Sequence, residues 1–379
     1  MPKYKFSEIA YNITDKKMPE PGDEELYIGL EHLDSGSLRV TRWGSDVELV
    51  GQKLVMQKGD ILFGRRNTYL RRAAIAPHDG IFSAHGMIFR PNTAVIDPDY
   101  FPFFISSDYF MDAAIRISVG SLSPTVNWKT LKELEFFLPD LNQQRQTAEL
   151  LSATNETKEA YQDLLLKSDE LVKSQFIELF GDPVRNEKGW PMVRLDEVAE
   201  IKIGPFGSLL HKEDYIENGH ALINPSHIAD GRIAADCKLT VSDAKYAELS
   251  SYALRVDDIV LGRRGEMGRC AVVYEDGYLC GTGSMIIRPK DKMKPYFLQN
   301  ILSSPSYRKV IETKAVGVTM MNINVPIVSS LLIPQLPIEL QEDYLCFVRQ
   351  LDKSKFELKQ AIANISELMK SLIQQDFSN

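Results

Sequence analysis

YLCFVRQLDKSKFELKQAIANISELMKSL, residues 344–372, carries apolar side chains at alternating spacings of four and three. They are Tyr344, Val348, Leu351, Leu358, Ile362, Ile365, Met369 and Leu372, with Lys355 the polar interruption. A seam of this period held over about four heptads predicts a coiled-coil helix. A buried core helix would be apolar over a wider face. Here Lys353, Glu357, Lys359, Asn364 and Glu367 surround a narrow stripe.

The same helix occurs once upstream, in residues 141–180. Leu151 stands for Val348, Lys158 for Lys355, Tyr161 for Leu358, Leu165 for Ile362 and Val172 for Met369. The upstream seam is more polar, with Thr154, Ser168 and Gln175 in it. Outside the helices the clearest self-match is Met56–Pro91 against Leu254–Pro289. Without a gap, Asp60-Ile61, Gly64-Arg65-Arg66, Arg71, Ala73, Met87-Ile88 and Arg90-Pro91 recur as Asp258-Ile259, Gly262-Arg263-Arg264, Arg269, Ala271, Met285-Ile286 and Arg288-Pro289. Self-similarity at a long period means a duplicated domain. The expected fold is α+β, with two similar mixed α/β domains (1–139 and 183–335) joined by two long helices (140–182 and 336–379). The helices pack antiparallel with pseudo-twofold symmetry, and a rod of about 35 residues is roughly 50 Å long.

Composition narrows the class. A chain of 379 residues, 44% hydrophobic and 25% charged, is that of an ordinary globular protein of two or three domains. Without a signal-peptide core in MPKYKFSEIA or a membrane-spanning apolar run, the expected location is the cytoplasm. Cys237, Cys270, Cys280 and Cys346 form no CxxC pair, so neither a disulfide frame nor a zinc site is expected. The net charge is −8, but the two helical stretches hold about five of those negative charges, which leaves room for basic patches elsewhere.

Three kinds of loop carry contact chemistry. Gly64–Arg72 concentrates Arg65, Arg66, Arg71 and Arg72, and its copy keeps Arg263, Arg264 and Arg269. Arginine forks onto phosphate oxygens or onto the O6/N7 edge of guanine; a surface ion-pair role is the plain alternative. The polar loops Ser121, Ser123, Asn127 and Thr319, Asn322 bring hydroxyls and amides of the kind that read bases, though turn formation explains them too. Gly204-Pro205-Phe206-Gly207-Ser208 leads into His211 and Lys212, and can bring backbone N–H groups close to phosphate. No P-loop, HExxH or complete catalytic constellation is present. Asn224-Pro225-Ser226-His227 lacks the second proline and the aromatic of an amino-methyltransferase motif.

The layout of domain, long helix, domain, long helix resembles the specificity subunit of type I restriction-modification enzymes. The resemblance covers essentially the whole chain. It rests on Lys173–Pro183 followed by Gly189-Trp190-Pro191, on Gly204–Ser208, and on the Pro-x-Leu segments opening both helices. It implies two target recognition domains, each reading half of a bipartite duplex DNA target. It implies helices that set the spacer and dock two methyltransferase subunits, with restriction subunits completing the complex. The chain itself would be non-catalytic and bind no cofactor. S-adenosylmethionine, ATP and Mg would belong to the partner subunits. The competing readings are a two-domain protein-binding scaffold and, more remotely, an enzyme with duplicated phosphate-binding lobes.

Overall fold

The computed structural model describes residues 1–205, 207–229, 231–265, 268–315 and 322–377. The chain forms two compact units. One contains Met1–Leu165 with Glu357–Asn379, the other Leu166–Phe356. Each unit therefore takes in part of both long helices, which run Leu141–Phe180 and Ile338–Gln375.

In the first unit an antiparallel sheet orders its strands Ala10–Ile13, Met87–Pro91, Ile61–Phe63, Ala73–Ile75. Side chains alternate across a strand. Ile61, Phe63, Met87 and Phe89 enter a core with Phe6, Phe104, Phe110 and Phe136, while Leu62 and Ile88 enter a second core with Ile28, Leu54 and Phe82. Both faces are covered, so these strands are apolar without alternation. The second unit repeats the order with Ala199–Ile203, Ser284–Pro289, Ile259–Gly262 and Cys270–Val272. There Ile259, Leu261, Met285 and Ile287 face one core, and Val260 and Ile286 the other.

The recurring Asp and Arg of the sequence repeat have a structural reason. Arg90 Nε donates to the buried Asp60 Oδ1 at 2.6 Å, and Arg288 Nε to Asp258 Oδ1 at 2.7 Å. Each pair ties the start of one central strand to the end of its neighbour. The match is nevertheless not ungapped throughout. Phe63 pairs with Ala73, whereas Leu261 pairs with Cys270. The intervening turn is one residue longer in the first unit. Arg72, not Arg71, is the structural counterpart of Arg269: Gly64 N–H donates to Arg72 O and Gly262 N–H to Arg269 O. Likewise Ala74, not Ala73, corresponds to Ala271, each being the middle residue of its strand pair.

Asp140 caps the first long helix, its Oδ1 accepting from Asn142 N and Gln143 N. Gly181, at φ 79°, stops it, donating to Ile177 O. A buried glutamine anchors the opening turn of each helix. Gln144 donates to Val95 O and Pro139 O and accepts from Asp97 N; Gln341 donates to Lys292 O and Leu336 O and accepts from Lys294 N.

The helices run antiparallel within each unit. In the first, Gln143 Nε2 donates to Asp376 Oδ1 at 2.9 Å, and Leu151 packs with Ile373. In the second, Phe176 and Phe180 pack on Tyr344, and Lys355 Nζ lies 2.7 Å from Asp169 Oδ1. The seam faces inward: Tyr344 is buried, and Val348, Leu351, Leu358, Ile362, Ile365, Met369 and Leu372 are half-buried. So are Tyr161, Leu165 and Val172, while Leu151 and Ser168 are buried. Among the described residues no helix is long and apolar enough to cross a membrane.

Candidate nucleic-acid interface

Two of the loop types separated in sequence are one platform in each unit. In the first, Arg66 and Thr125 form an antiparallel bridge. Val126 N–H donates to Arg65 O at 2.9 Å and Asn67 N–H to Pro124 O at 2.7 Å. In the second, Arg264 bridges Asn322, and Ile323 N–H donates to Arg263 O at 3.1 Å. Val126 and Ile323 are fully buried, so each polar loop is anchored by an apolar residue one step from its bridge.

The arginines divide by environment. Arg66 and Arg264 are exposed, and neither forms an ion pair with a carboxylate among the described residues. Arg66 Nη2 reaches Ser123 Oγ at 3.5 Å. Arg71 is committed: Nη1 donates to Asp108 at 2.7 Å and Nη2 to Asp112. Arg72 donates to Leu30 O at 2.7 Å, and Arg269 to Ile228 O at 3.4 Å. Each holds a backbone carbonyl at the neighbouring 3-10 turn, although the two carbonyls are not at equivalent positions: Ile228 matches Leu33, and Leu30 matches Pro225. Arg65 is half-buried and Arg263 is 8% exposed, each with its Nε hydrogen-bonded to nothing among the described residues. Burial, reinforced by neighbouring Arg264, holds the Arg263 guanidinium below the ordinary arginine range.

The glycine loop joins the second platform at its root. Gly204 N–H donates to Ser284 O at 3.1 Å, and Arg263 N–H to the adjacent Gly283 O at 2.9 Å. A Cβ on Gly204 would lie 2.1 Å from Gly281 O, which explains the glycine. Ser208, His211 and Lys212 are exposed, and among the described residues no hydrogen bond links them to Arg263 or Arg264. Ser121 and Asn127 are exposed on the first platform. Asn322 is half-buried, with Oδ1 unpaired among the described residues. Thr319 and Phe206 lie outside the described residues.

Asn224-Pro225-Ser226-His227 is a short turn in which Asn224 N–H donates to His227 Nδ1. Gly29 N–H donates to His32 Nδ1 in the first unit, so this motif is a repeated structural turn. The sequence reading missed Thr125, which supplies the bridge. It placed Leu122 in the first polar loop without giving it a role; that side chain is 95% exposed. A period-free loop gives no pairing signal, and only the bridge partner reveals it.

The model of the type I restriction modification DNA specificity domain matches residues 31–165 and 187–367. The chain belongs to this family. As a type I specificity chain it carries the domain twice, in keeping with the repeated sheets. A curated relative, the type I restriction enzyme MjaVIII specificity subunit of Methanocaldococcus jannaschii, is 22% identical over 93% of this chain and 88% of its own length. The MjaIX specificity subunit of the same organism is 28% identical over 41% of this chain and 36% of its own. The type I system S subunit of M. genitalium has the same fold, with a TM-score of 0.57, 16% identity and coverage of 100% of this chain and 96% of that one. A chain from a structure describing complex assembly and conformational transition of a type I R-M system gives a TM-score of 0.59 at 18% identity, covering 99% and 97%.

Proposed function

We propose that each unit of this specificity subunit reads one half of a bipartite duplex DNA target through its turn-and-loop platform. The repetition of that platform, with an exposed arginine at the same bridged position in both units, carries the reading. Arg66 and Arg264 are the base or phosphate contacts. An arginine that is exposed, backbone-fixed and without a carboxylate partner among the described residues is preorganised to fork onto guanine or phosphate. Arg65, Arg72, Arg263 and Arg269 support the turn, and Arg71 is neutralised by its two aspartates. Ser121, Ser123 and Asn127, with Asn322, line the platforms. Ser208, His211 and Lys212, exposed after the glycine loop, are further candidate contacts, as is Thr319 from its sequence alone.

The two helices set the spacer and dock two methyltransferase subunits, which bring S-adenosylmethionine. Restriction subunits bring the ATP- and Mg-dependent steps. The chain contributes recognition and no catalytic group. The test is to map methylated positions in genomic DNA from cells with and without this chain, and with Arg66→Ala or Arg264→Ala. Each substitution should degrade recognition of one half-site, by about 1–3 kcal/mol for a bidentate base contact. Methylation that does not depend on the chain would favour the scaffold reading.

A further inference from the structure

The turn that carries Arg66 also displays an aromatic ring. Tyr69 is 56% exposed, whereas the adjacent Thr68 is 1% exposed and serves as the anchor, its Oγ1 donating to Arg65 O at 2.8 Å. A single exposed tyrosine is unremarkable by itself. What sets this one apart is the structure assembled to hold it out.

The short 3-10 turn Thr68–Leu70 is flanked by Asn67 at φ 54° and Arg71 at φ 49°. Both are left-handed, a conformation that side chains other than glycine adopt at a cost and that concentrates at functional sites. The surroundings over-determine it. Asn67 N–H donates to Pro124 O, Arg71 N–H to Thr68 O, and Ser35 Oγ to Leu70 O, while the Arg71 guanidinium is pinned by Asp108 and Asp112. The turn of the second unit is one residue shorter, has glycines at φ 78° (Gly265) and φ 77° (Gly268), and contains no aromatic residue. The first unit therefore keeps a strained, fully braced turn where the second uses glycines. The visible product of that bracing is a phenol ring three residues from an exposed arginine that has no carboxylate partner among the described residues.

We propose that Tyr69 is a specificity-determining residue of the first unit, its ring packing against a nucleobase of duplex DNA while Arg66 fixes the neighbouring phosphate or guanine. This rests on the DNA-reading function proposed above. In a duplex groove, where base faces are covered by their neighbours, an aromatic ring gains from apolar contact with base edges, above all a thymine methyl. A rigid turn loses no freedom on binding, which is the use of the bracing. The two half-sites are then read by different means, the first partly by apolar contact with a base edge, the second without an aromatic from this turn.

The experiment uses the full chain assembled with its methyltransferase subunits, with genomic DNA from cells lacking the chain as probe. Tyr69→Phe should methylate the same positions at the same rate. Tyr69→Ala, with an unchanged melting temperature, should methylate them roughly 5- to 150-fold more slowly and tolerate other bases at one or two positions of a single half-site. If Tyr69→Ala retains wild-type sites and rates while Arg66→Ala loses one half-site, the inference is overturned and the DNA-reading function stands. If Tyr69→Ala lowers binding to random DNA as much as to the target, Tyr69 is not a base contact; if it melts early, Tyr69→Leu is judged by the same two readouts in its place. If Tyr69→Ala, Arg66→Ala and Arg264→Ala all match wild type, the DNA-reading proposal fails together with the inference.

Discussion

Lys355 Nζ lies 2.7 Å from Asp169 Oδ1, joining the two long helices inside the second unit at the one polar position of the heptad seam. The lysine side chain is 15% exposed and the aspartate 61%. A polar group in a seam fixes register at a cost in stability. Asp169→Asn should lower stability by about 1 kcal/mol. Lys355→Leu should leave it unchanged or raise it by about 1–2 kcal/mol, because an apolar residue suits the seam. Thermal unfolding of the two variants checks this.

Lys158 holds the equivalent position in the first unit, where the matching partner position is Ser366. Its Nζ donates to Gly36 O at 3.0 Å instead. Burial holds its pKa below the ordinary 10.5, with Glu159 opposing and Lys370 adding to the depression. The folded state thus disfavours the proton. The penalty is complete below the depressed value and relieved as pH rises from there towards 10.5, where only the unfolded chain still holds the proton. Lys158→Met should be more stable than wild type near neutral pH, by about 1 kcal/mol. Melting curves should show that margin narrowing as the pH is raised. Ser366→Asp should stabilise the lysine by supplying the missing carboxylate.

Gln341 is fully buried, and its amide satisfies Lys292 O, Leu336 O and Lys294 N. Gln341→Leu strands those backbone groups in the interior, each at about 1–3 kcal/mol. A loss of at least about 2 kcal/mol is expected in a denaturant titration, and Gln144→Leu should do the same to the first unit. Gln341→Glu should be milder in acid, where the protonated carboxyl can donate one of the two bonds.

Inserting one heptad near Leu165 and another near Ile362 adds about 10 Å to each helix. If the helices set the spacer, the preferred gap between half-sites grows by about three base pairs at roughly 3.4 Å each. Methylation mapping reads this directly, and an unchanged spacer would remove the ruler role from the proposal.

The duplication and the helices were legible because their signals are simple: a heptad period, and recurrence of Asp60 and Arg90 as Asp258 and Arg288. The arginine turns were legible as composition only. Nothing near Arg71 in sequence announces Asp108 and Asp112, which lie 37 and 41 residues away. Likewise, joining Arg66 to Thr125 and Arg264 to Asn322 is a matter of strand pairing between distant segments. The ungapped repeat even misassigned Arg269, because one extra residue in the first turn is invisible until the strand registers are known. Lys355 was visible as an interruption, but its partner on another helix was not.

The core of the first unit is finished by residues from far along the chain. Phe377 stacks on Tyr109 with ring centroids 4.3 Å apart, and the buried Asp376 accepts from the Tyr100 hydroxyl at 3.1 Å. On the ribosome, everything up to Leu165 emerges long before those two residues do. At 5–20 residues per second the delay is on the order of ten to forty seconds. During that interval the nascent first half has Tyr100 and Tyr109 uncapped, and a chaperone or a second nascent chain has time to engage them.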